Sequence, residues 1–227
     1  MAKNFVLENF FIKAEARSAL DREKKIAKFS PKPSKRGDFK RYGYEYFDSV
    51  DYGVGYGGYH YDGRYEKSVS DIIHNLNLSP GSRILEIGCA KGFILYEFYK
   101  HGMNVSGIDV SKYAISNAKP EIKPFLVQGS CEQLPWSDGE FDFVFCKEVL
   151  PHLSIHQLDK AIPEMLRVCS SRNIYLDIQV CETDRAKKMT NAWDETHQCL
   201  ENSGWWLSYL EEKRFRGYLN FKVLFNA

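Results

Sequence analysis

An α/β fold built on a doubly wound, mostly parallel seven-stranded sheet with helices on both faces is what this sequence predicts, and three observations predict it. Short apolar runs of strand length alternate with segments of helical period, the signature of a parallel sheet crossed by helices. The first of these runs, Arg83–Ile87, ends in a glycine-containing turn, Gly88-Cys89-Ala90-Lys91-Gly92, that opens a helical pattern. A second apolar run ends on Asp109, and 109 − 88 = 21 residues is the length that one strand–helix–strand crossover needs.

Element by element, the chain begins with Leu7, Phe10, Phe11 and Ala14 at helical spacing and continues as a strongly charged stretch from Arg17 to Lys28. One long helix is expected here, its apolar half packed on the core or on a second copy of the chain as a homodimer. Pro31 to Gly37 reads as a linker whose basic residues form a solvated surface. Residues 1–50 are therefore assigned to an N-terminal helical extension and linker, and residues 51–227 to the main domain. From Tyr52 to Tyr61 glycines and tyrosines alternate, which by composition alone is a turn with surface aromatics. A helix follows over Tyr65–Leu76, then strands near Arg83–Ile87, Val105–Ile108, Phe125–Gln128, Phe141–Cys146, Ile174–Gln179 and Leu219–Phe225, with a helix over Gly92–Tyr99. After the fourth of these strands, Ile155, Leu158, Ile162, Met165 and Leu166 share one helix face; Ser154 and Gln157 have capping-box spacing, and Pro163 should kink the helix or mark a late start.

Composition excludes several classes. At 227 residues with 44% apolar content the chain can bury one sizeable core, and a formal charge of +1 provides no electrostatic grip on nucleic acid. The first residues lack a basic-then-apolar secretory pattern, and no apolar stretch is long enough for a bilayer, so a cytoplasmic protein without a membrane span is expected. Six cysteines without framework or metal-ligand spacing fit a reducing compartment. Cys89, Cys131 and Cys146 fall near strand ends, but with no Cys-x-x-Cys and no paired His-Cys spacing they read as buried or loop thiols, and no metal site is expected.

The glycine loop carries the chemistry. A dinucleotide fingerprint starting at Gly88 needs glycines at positions 90 and 93, where this chain has Ala90 and Phe93. What stands instead, Glu86-x-Gly88-x-Ala90-x-Gly92, resembles motif I of the class I S-adenosylmethionine (SAM) dependent methyltransferases, with alanine in place of the middle glycine. Gly129-Ser130-Cys131-Glu132-Gln133-Leu134-Pro135 resembles that family's adenine-flanking segment, with Ser130 in place of the usual Asp. Phe141 to Leu153 resembles its fourth strand and following loop. The matches come in the family's order, over roughly residues 55–180. Arg214 to Ala227, with Gly217 in its middle, resembles the paired last strands of that family's sheet, one of them antiparallel. The resemblance implies a Rossmann-like fold, SAM as cofactor and S-adenosyl-L-homocysteine as product. It further implies Tyr59, Glu86, Gly88, Cys89, Gly92, Asp109, Val110, Ser130, Cys131 and Lys147 at the cofactor, with Glu86 ordering the loop and Asp109 holding the ribose hydroxyls.

Two further segments gain meaning from their position. In similar methyltransferases the stretch before the first strand folds over the cofactor and the substrate mouth, which makes residues 51–64 a lid and His60 and Tyr61 substrate contacts. Trp193-Asp194-Glu195-Thr196-His197, followed by Ser203-Gly204-Trp205-Trp206, resembles small methyltransferases of surface-polysaccharide and sugar gene clusters. It places a substrate-side cap over residues 181–213, with Asp194 as a substrate contact, while Trp205 and Trp206 read as anchors of a helix opened by Ser203. Glu148 is a further substrate contact, and for an amine acceptor Glu148 or Asp194 would position the cationic group. A neutral imidazole suits removal of an alcohol proton. His152 is the first candidate base and His197 the second; a structural role for His152, bonded to backbone at a helix entry, stands beside the catalytic one. His74, His101 and His156 have no motif support. The expected activity is methylation of a hydroxyl on a small polar acceptor such as an activated sugar. The alternatives are amine or carboxyl methylation in natural-product or amino acid chemistry, and a non-catalytic SAM-binding subunit.

Overall fold

The computed structural model of the chain describes residues 5–11, 19–29, 39–50 and 56–225. Seven strands form one sheet: β1 (Phe5–Leu7), β2 (Arg83–Ile87), β3 (Asn104–Asp109), β4 (Leu126–Gln128), β5 (Phe143–Lys147), β6 (Ile174–Val180) and β7 (Gly217–Val223). Their order is β1-β7-β6-β5-β2-β3-β4, and every neighbouring pair is parallel. The helices are α1 (Ala19–Phe29), α2 (Tyr44–Phe47), α3 (Glu66–Asn75), α4 (Phe93–Lys100), α5 (Lys112–Ser116), α6 (Ile155–Val168), α7 (Asp184–Trp193) and α8 (Ser203–Glu212).

The sheet is buried on both faces, as its near-continuous apolar strands require. Leu85, Ile87, Val144, Cys146, Leu176 and Ile178 point to one side, where Leu158, Ile162 and Met165 of α6 and Trp206 and Leu210 of α8 cover them. Ile84, Val105, Phe143, Phe145 and Tyr175 point to the other side, against Val69 and Ile72 of α3 and Ile94, Leu95 and Phe98 of α4. With a side-chain period of two, Glu86, Lys147, Asp177 and Gln179 share this second face. The strands run outward from β2 in opposite directions, through β3 to β4 and through β5 to β7. The C-terminal ends of β2 and β5 therefore flank a topological switch point, where open α/β sheets bind ligands.

Two expectations are corrected. The helix read from Leu7 does not begin there: Phe5–Leu7 is an edge strand paired with Gly217–Leu219, and Glu8 N donates to Leu219 O at 3.0 Å. Phe10 and Phe11 follow in a turn and pack on Tyr175 at 5.0 and 5.7 Å. A three-residue strand is too short to display alternation, and a Phe pair beyond it imitates a helical face; the open edge of β7 decides the outcome. Ala14, the Pro31–Gly37 linker and residues 52–55 lie outside the described residues, whereas α1 falls within the charged stretch and rests on α7 through Arg185 and Glu23 at 2.9 Å.

The C-terminal segment was expected to supply paired last strands, one antiparallel. It supplies β7 alone, parallel to β6 from Tyr175↔Tyr218 to Val180↔Val223, because α7 and α8 return the chain to the end of the sheet where β6 began. Gly217 makes the entry possible. It has φ +152°, and a Cβ there would strike Ile174 O.

Smaller details follow the local chemistry. The capping box at α6 is present in both directions, Ser154 N to Gln157 Oε1 at 3.0 Å and Gln157 N to Ser154 Oγ at 3.4 Å. α6 continues through Pro163. α8 starts at Ser203, but the cap is Asn202, whose Oδ1 accepts from Trp205 N at 2.8 Å.

Candidate active site

The loop after β2 is bent by backbone conformations that favour glycine. Gly88 has φ +71° and Gly92 +69°, and a Cβ on either would fall on a neighbouring side chain, Val149 for the first and Ile122 for the second. Ala90 also sits in the left-handed region, at φ +48°. Asp109, ending β3, clamps this turn: Oδ2 accepts from Ala90 N at 2.7 Å and Oδ1 accepts from Ser111 N at 2.7 Å. Burial pushes its carboxyl above the usual range, and the two N–H groups oppose that rise. Glu86, on β2 two residues before Gly88, is buried and raised well above its ordinary pKa by burial and then by Asp109, and its Oε2 has no partner among the described residues.

A cavity open to solvent lies over this loop. Gly88, Asp109, Val110, Ser130, Cys131 and Lys147 line it, so six residues expected at the cofactor come together there. Ser130 Oγ is engaged in its own turn, with Glu132 N and Oε1 both at 3.2 Å. Cys89 and Gly92 stand behind the loop: Cys89 is buried in the core, its Sγ filling the space above Gly107, and Gly92 begins α4. Tyr42, Tyr46 and Phe47 from the N-terminal segment close the cavity from above.

A second cavity, also open, adjoins the first over β5–β7 and the cap. Tyr59, His60, Gln179, Asp194, His197 and Lys222 are in its wall, and Tyr46, Tyr56, Lys147, Glu148 and His152 belong to both cavities. The substrate-side loop is pinned where it matters: Gln198 N and Cys199 N both donate to Pro151 O at 2.9 Å, and Gln198 Nε2 donates to His152 O at 2.8 Å. This brings His197 onto His152, the rings stacked 4.3 Å apart at 17°.

His152 Nδ1 contacts Thr196 Oγ1 at 2.8 Å, Thr196 Oγ1 donates to Asp194 Oδ1 at 2.6 Å, and Tyr46 Oη donates to Asp194 Oδ2 at 2.8 Å. His197 is held at both nitrogens, by Asp194 O at 2.7 Å and Gln179 Oε1 at 2.6 Å. His152 is half-buried and opens onto the cavities, and burial takes its pKa down to about 4; Asp194 resists the fall and His197 adds to it. Burial works to raise Asp194, but the two imidazoles and Thr196 outweigh it and hold the carboxyl below its usual range.

Glu148 stands between the cavities in the left-handed conformation, φ +58°, a backbone cost that recurs at functional sites. Its carboxylate accepts from Lys147, from Lys222 at 2.9 Å and from Gln179 Nε2 at 2.7 Å. Burial opposes both charges of the Lys147–Glu148 pair. Their mutual attraction prevails, with Glu148 well below and Lys147 well above the ordinary values; Lys222 and Asp177 add to it.

Two of the remaining candidates part company. His60 is exposed at the rim of the second cavity, while Tyr61 lines neither cavity and donates to Oε1 of the buried Glu97 of α4 at 2.7 Å. Sequence reasoning missed Gln179, Tyr46, Thr196 and a latch in which Lys91 Nζ reaches Asp48 Oδ1 at 2.6 Å and Tyr59 O at 2.7 Å. Thr196 was legible as the middle of Asp-x-Thr-His; the latch has no local signal, since 43 positions separate its charges.

Residues 85–176 match a family described as methyltransferase domain. The chain carries a class I SAM-dependent methyltransferase domain. Its cofactor is SAM, and the first cavity suits that molecule: glycines where a side chain cannot stand, the Asp109 carboxylate in its wall and an unpartnered Glu86 oxygen behind the loop. An uncharacterized methyltransferase of Synechocystis sp. is 33% identical to this chain over 104 residues, 45% of this chain and 49% of that protein. The 24-methylenesterol C-methyltransferase 2 of Arabidopsis thaliana is 26% identical over 145 residues, 60% of this chain and 39% of that one. The matched stretch thus spans half or less of the length of these relatives. In fold, the methyltransferase domain is like the YcgJ protein of Bacillus subtilis, with a TM-score of 0.54 at 20% identity over 63% of this chain and 66% of that one. His152, Asp194 and His197 also offer ligand atoms within 4.8 Å of one another, the geometry of a metal site. Those atoms are already spent on hydrogen bonds, except His152 Nε2, which has no partner among the described residues.

Proposed function

We propose that the protein transfers the methyl group of SAM to a hydroxyl of a small polar acceptor, an activated sugar or a similar hydroxylated metabolite. The observation that carries this reading is the position of His152, in the shared wall of the cofactor cavity and the polar cavity, with Nε2 unengaged. SAM supplies an electrophilic methyl on a sulfonium centre, so the protein has to align a nucleophile and remove its proton. A hydroxyl docked at the junction gives its proton to His152 Nε2, which burial keeps neutral and ready at neutral pH. Asp194, Gln179, His197 and Lys222 line the polar cavity with groups suited to hydroxyls, and Trp193 and Tyr59 add aromatic surface of the kind a sugar ring packs on.

Glu148, which an amine acceptor would need as counter-charge, is already occupied by two lysines and Gln179, and this favours the hydroxyl. The proposal includes a cytoplasmic setting, in keeping with six free thiols, and a diffusible small-molecule substrate. Among the described residues no helix is long and apolar enough to cross a membrane. A screen of activated sugars with labelled SAM identifies the acceptor. With that acceptor, His152→Ala should lower kcat by roughly 10²–10⁴-fold and leave SAM affinity nearly intact. Full turnover by the variant would overturn the base assignment.

A further inference from the structure

Between the candidate base and a buried carboxylate stands a single hydroxyl, and the direction of its hydrogen bonds follows from what each group can give. Asp194 is held in its ionised form and can only accept. The hydrogen in the 2.6 Å contact between Thr196 Oγ1 and Asp194 Oδ1 therefore belongs to threonine. With that hydrogen spent, Thr196 Oγ1 has only lone pairs to offer His152 Nδ1 at 2.8 Å, so the ring must carry its proton on Nδ1. The lone pair is then on Nε2.

The assembly is braced from every side. Thr196 N donates to Asp194 Oδ1 at 2.9 Å, and Tyr46 Oη, from the N-terminal segment, donates to Oδ2. His197 stacks on one face of His152 and is itself fixed at both nitrogens, while Tyr42 meets the ring edge-on at 6.1 Å. A flipped His152 would turn carbon toward Thr196 and lose the contact.

We infer that Thr196 is a positioning residue which, backed by Asp194, locks His152 in the tautomer with Nε2 free and stabilises the imidazolium that forms when the acceptor hydroxyl gives up its proton. In that step the acceptor O–H bond breaks, its proton forms the new N–H bond at Nε2, and the positive charge on the ring is met by Asp194 through the threonine hydroxyl. The inference rests on His152 being the base, and the tests separate the two.

The first measurement needs no variant and no substrate. Nitrogen-15 chemical shifts of the His152 ring at neutral pH should report a proton on Nδ1; a proton on Nε2 overturns the inference. In Thr196→Val, which keeps shape and removes the hydroxyl, the ring should become a mixture of tautomers. The same variant should lower kcat by roughly 10–100-fold, the range of one hydrogen bond to a developing charge, with acceptor KM little changed. Thr196→Ser should restore both the shift and most of the rate. In a His152→Ala background the valine should cost nothing further, since it acts through the imidazole. If Thr196→Val turns over at the wild-type rate while His152→Ala does not, the relay fails and the base assignment stands. If His152→Ala keeps full activity, both fail.

Discussion

The two halves of the site are built by different means. Over β2–β4, the cofactor side is made of short contiguous segments, and its decisive features are backbone ones: left-handed turns at Gly88 and Gly92 and the N–H of Ala90 on Asp109. Over β5–β7, the acceptor side is collected from Tyr46, Tyr59, Glu148, His152, Gln179, Asp194–His197 and Lys222, and its features are side-chain networks. A ligand common to many enzymes can be held by local backbone geometry, whereas an individual acceptor needs a surface assembled across the fold. Changes on one side should thus act on SAM binding and changes on the other on turnover.

The largest effect that tests this division is one of pH. The His152 pKa of about 4 lies below the ordinary value of 6.5, so between those values the unfolded ring binds a proton that the folded ring does not. Stability linked to His152 is complete above about pH 6.5 and is lost as pH falls toward 4, by up to about 3 kcal/mol. Urea unfolding from pH 7 to 4.5 should show a shallower loss for His152→Gln than for the wild type. The acid limb of kcat/KM should correspondingly lie nearer 4 than 6.5 in the wild type. A limb at 6.5 would mean that solvent reaches the ring and that the base, if it is His152, is not desolvated.

On the cofactor side the comparable change is Asp109→Ala. It removes the acceptor of two N–H groups and the proposed ribose contact together, worth roughly 1.5–3 kcal/mol for hydrogen bonds to a charged group, hence at least about a tenfold weaker SAM dissociation constant. Calorimetry with S-adenosyl-L-homocysteine measures it. At saturating SAM, kcat should stay near the wild-type rate; a loss of kcat as large as that of His152→Ala would erase the division between the halves.

The same division explains how far the sequence could be read. Asp109 and the loop from Glu86 to Gly92 were legible because glycines and a carboxylate at fixed spacing specify local geometry. β2 was read to the residue and β3–β6 to within two residues at either end, since each is an apolar run with its own helix beside it. The sheet edge was not: Phe5–Leu7 becomes a strand only because β7 offers it hydrogen bonds more than 200 positions away, and β7 becomes parallel only because of where α8 ends. His152 and His197 could be nominated singly, but their stacking depends on Pro151 O capturing the Gln198 and Cys199 amides, a contact without periodicity or motif. Asp48 and Lys91 were silent for the same reason.

Ala90 is where the halves touch, and it carries the smallest predicted effect. Its left-handed φ of +48° disfavours any Cβ by roughly 1–2 kcal/mol, yet that methyl is buried in a cluster with Phe47, Tyr46 and Ala114, worth about 0.8 kcal/mol for one such group. Glycine would relieve the strain, lose the packing and add about 0.5–1 kcal/mol of unfolded-state freedom, so the three contributions nearly cancel. Ala90→Gly should therefore shift Tm by less than about 4 °C, the size of a 1 kcal/mol change in a chain of this length. What should change is local: without the methyl, residues 39–50 lose a contact with the cofactor loop, and their amides should exchange faster in the SAM-free protein while those of β2 and β5 do not. Unchanged exchange in 39–50 with a Tm raised well beyond that range would mean that strain alone governs this position, and that alanine there does nothing to join the N-terminal segment to the loop.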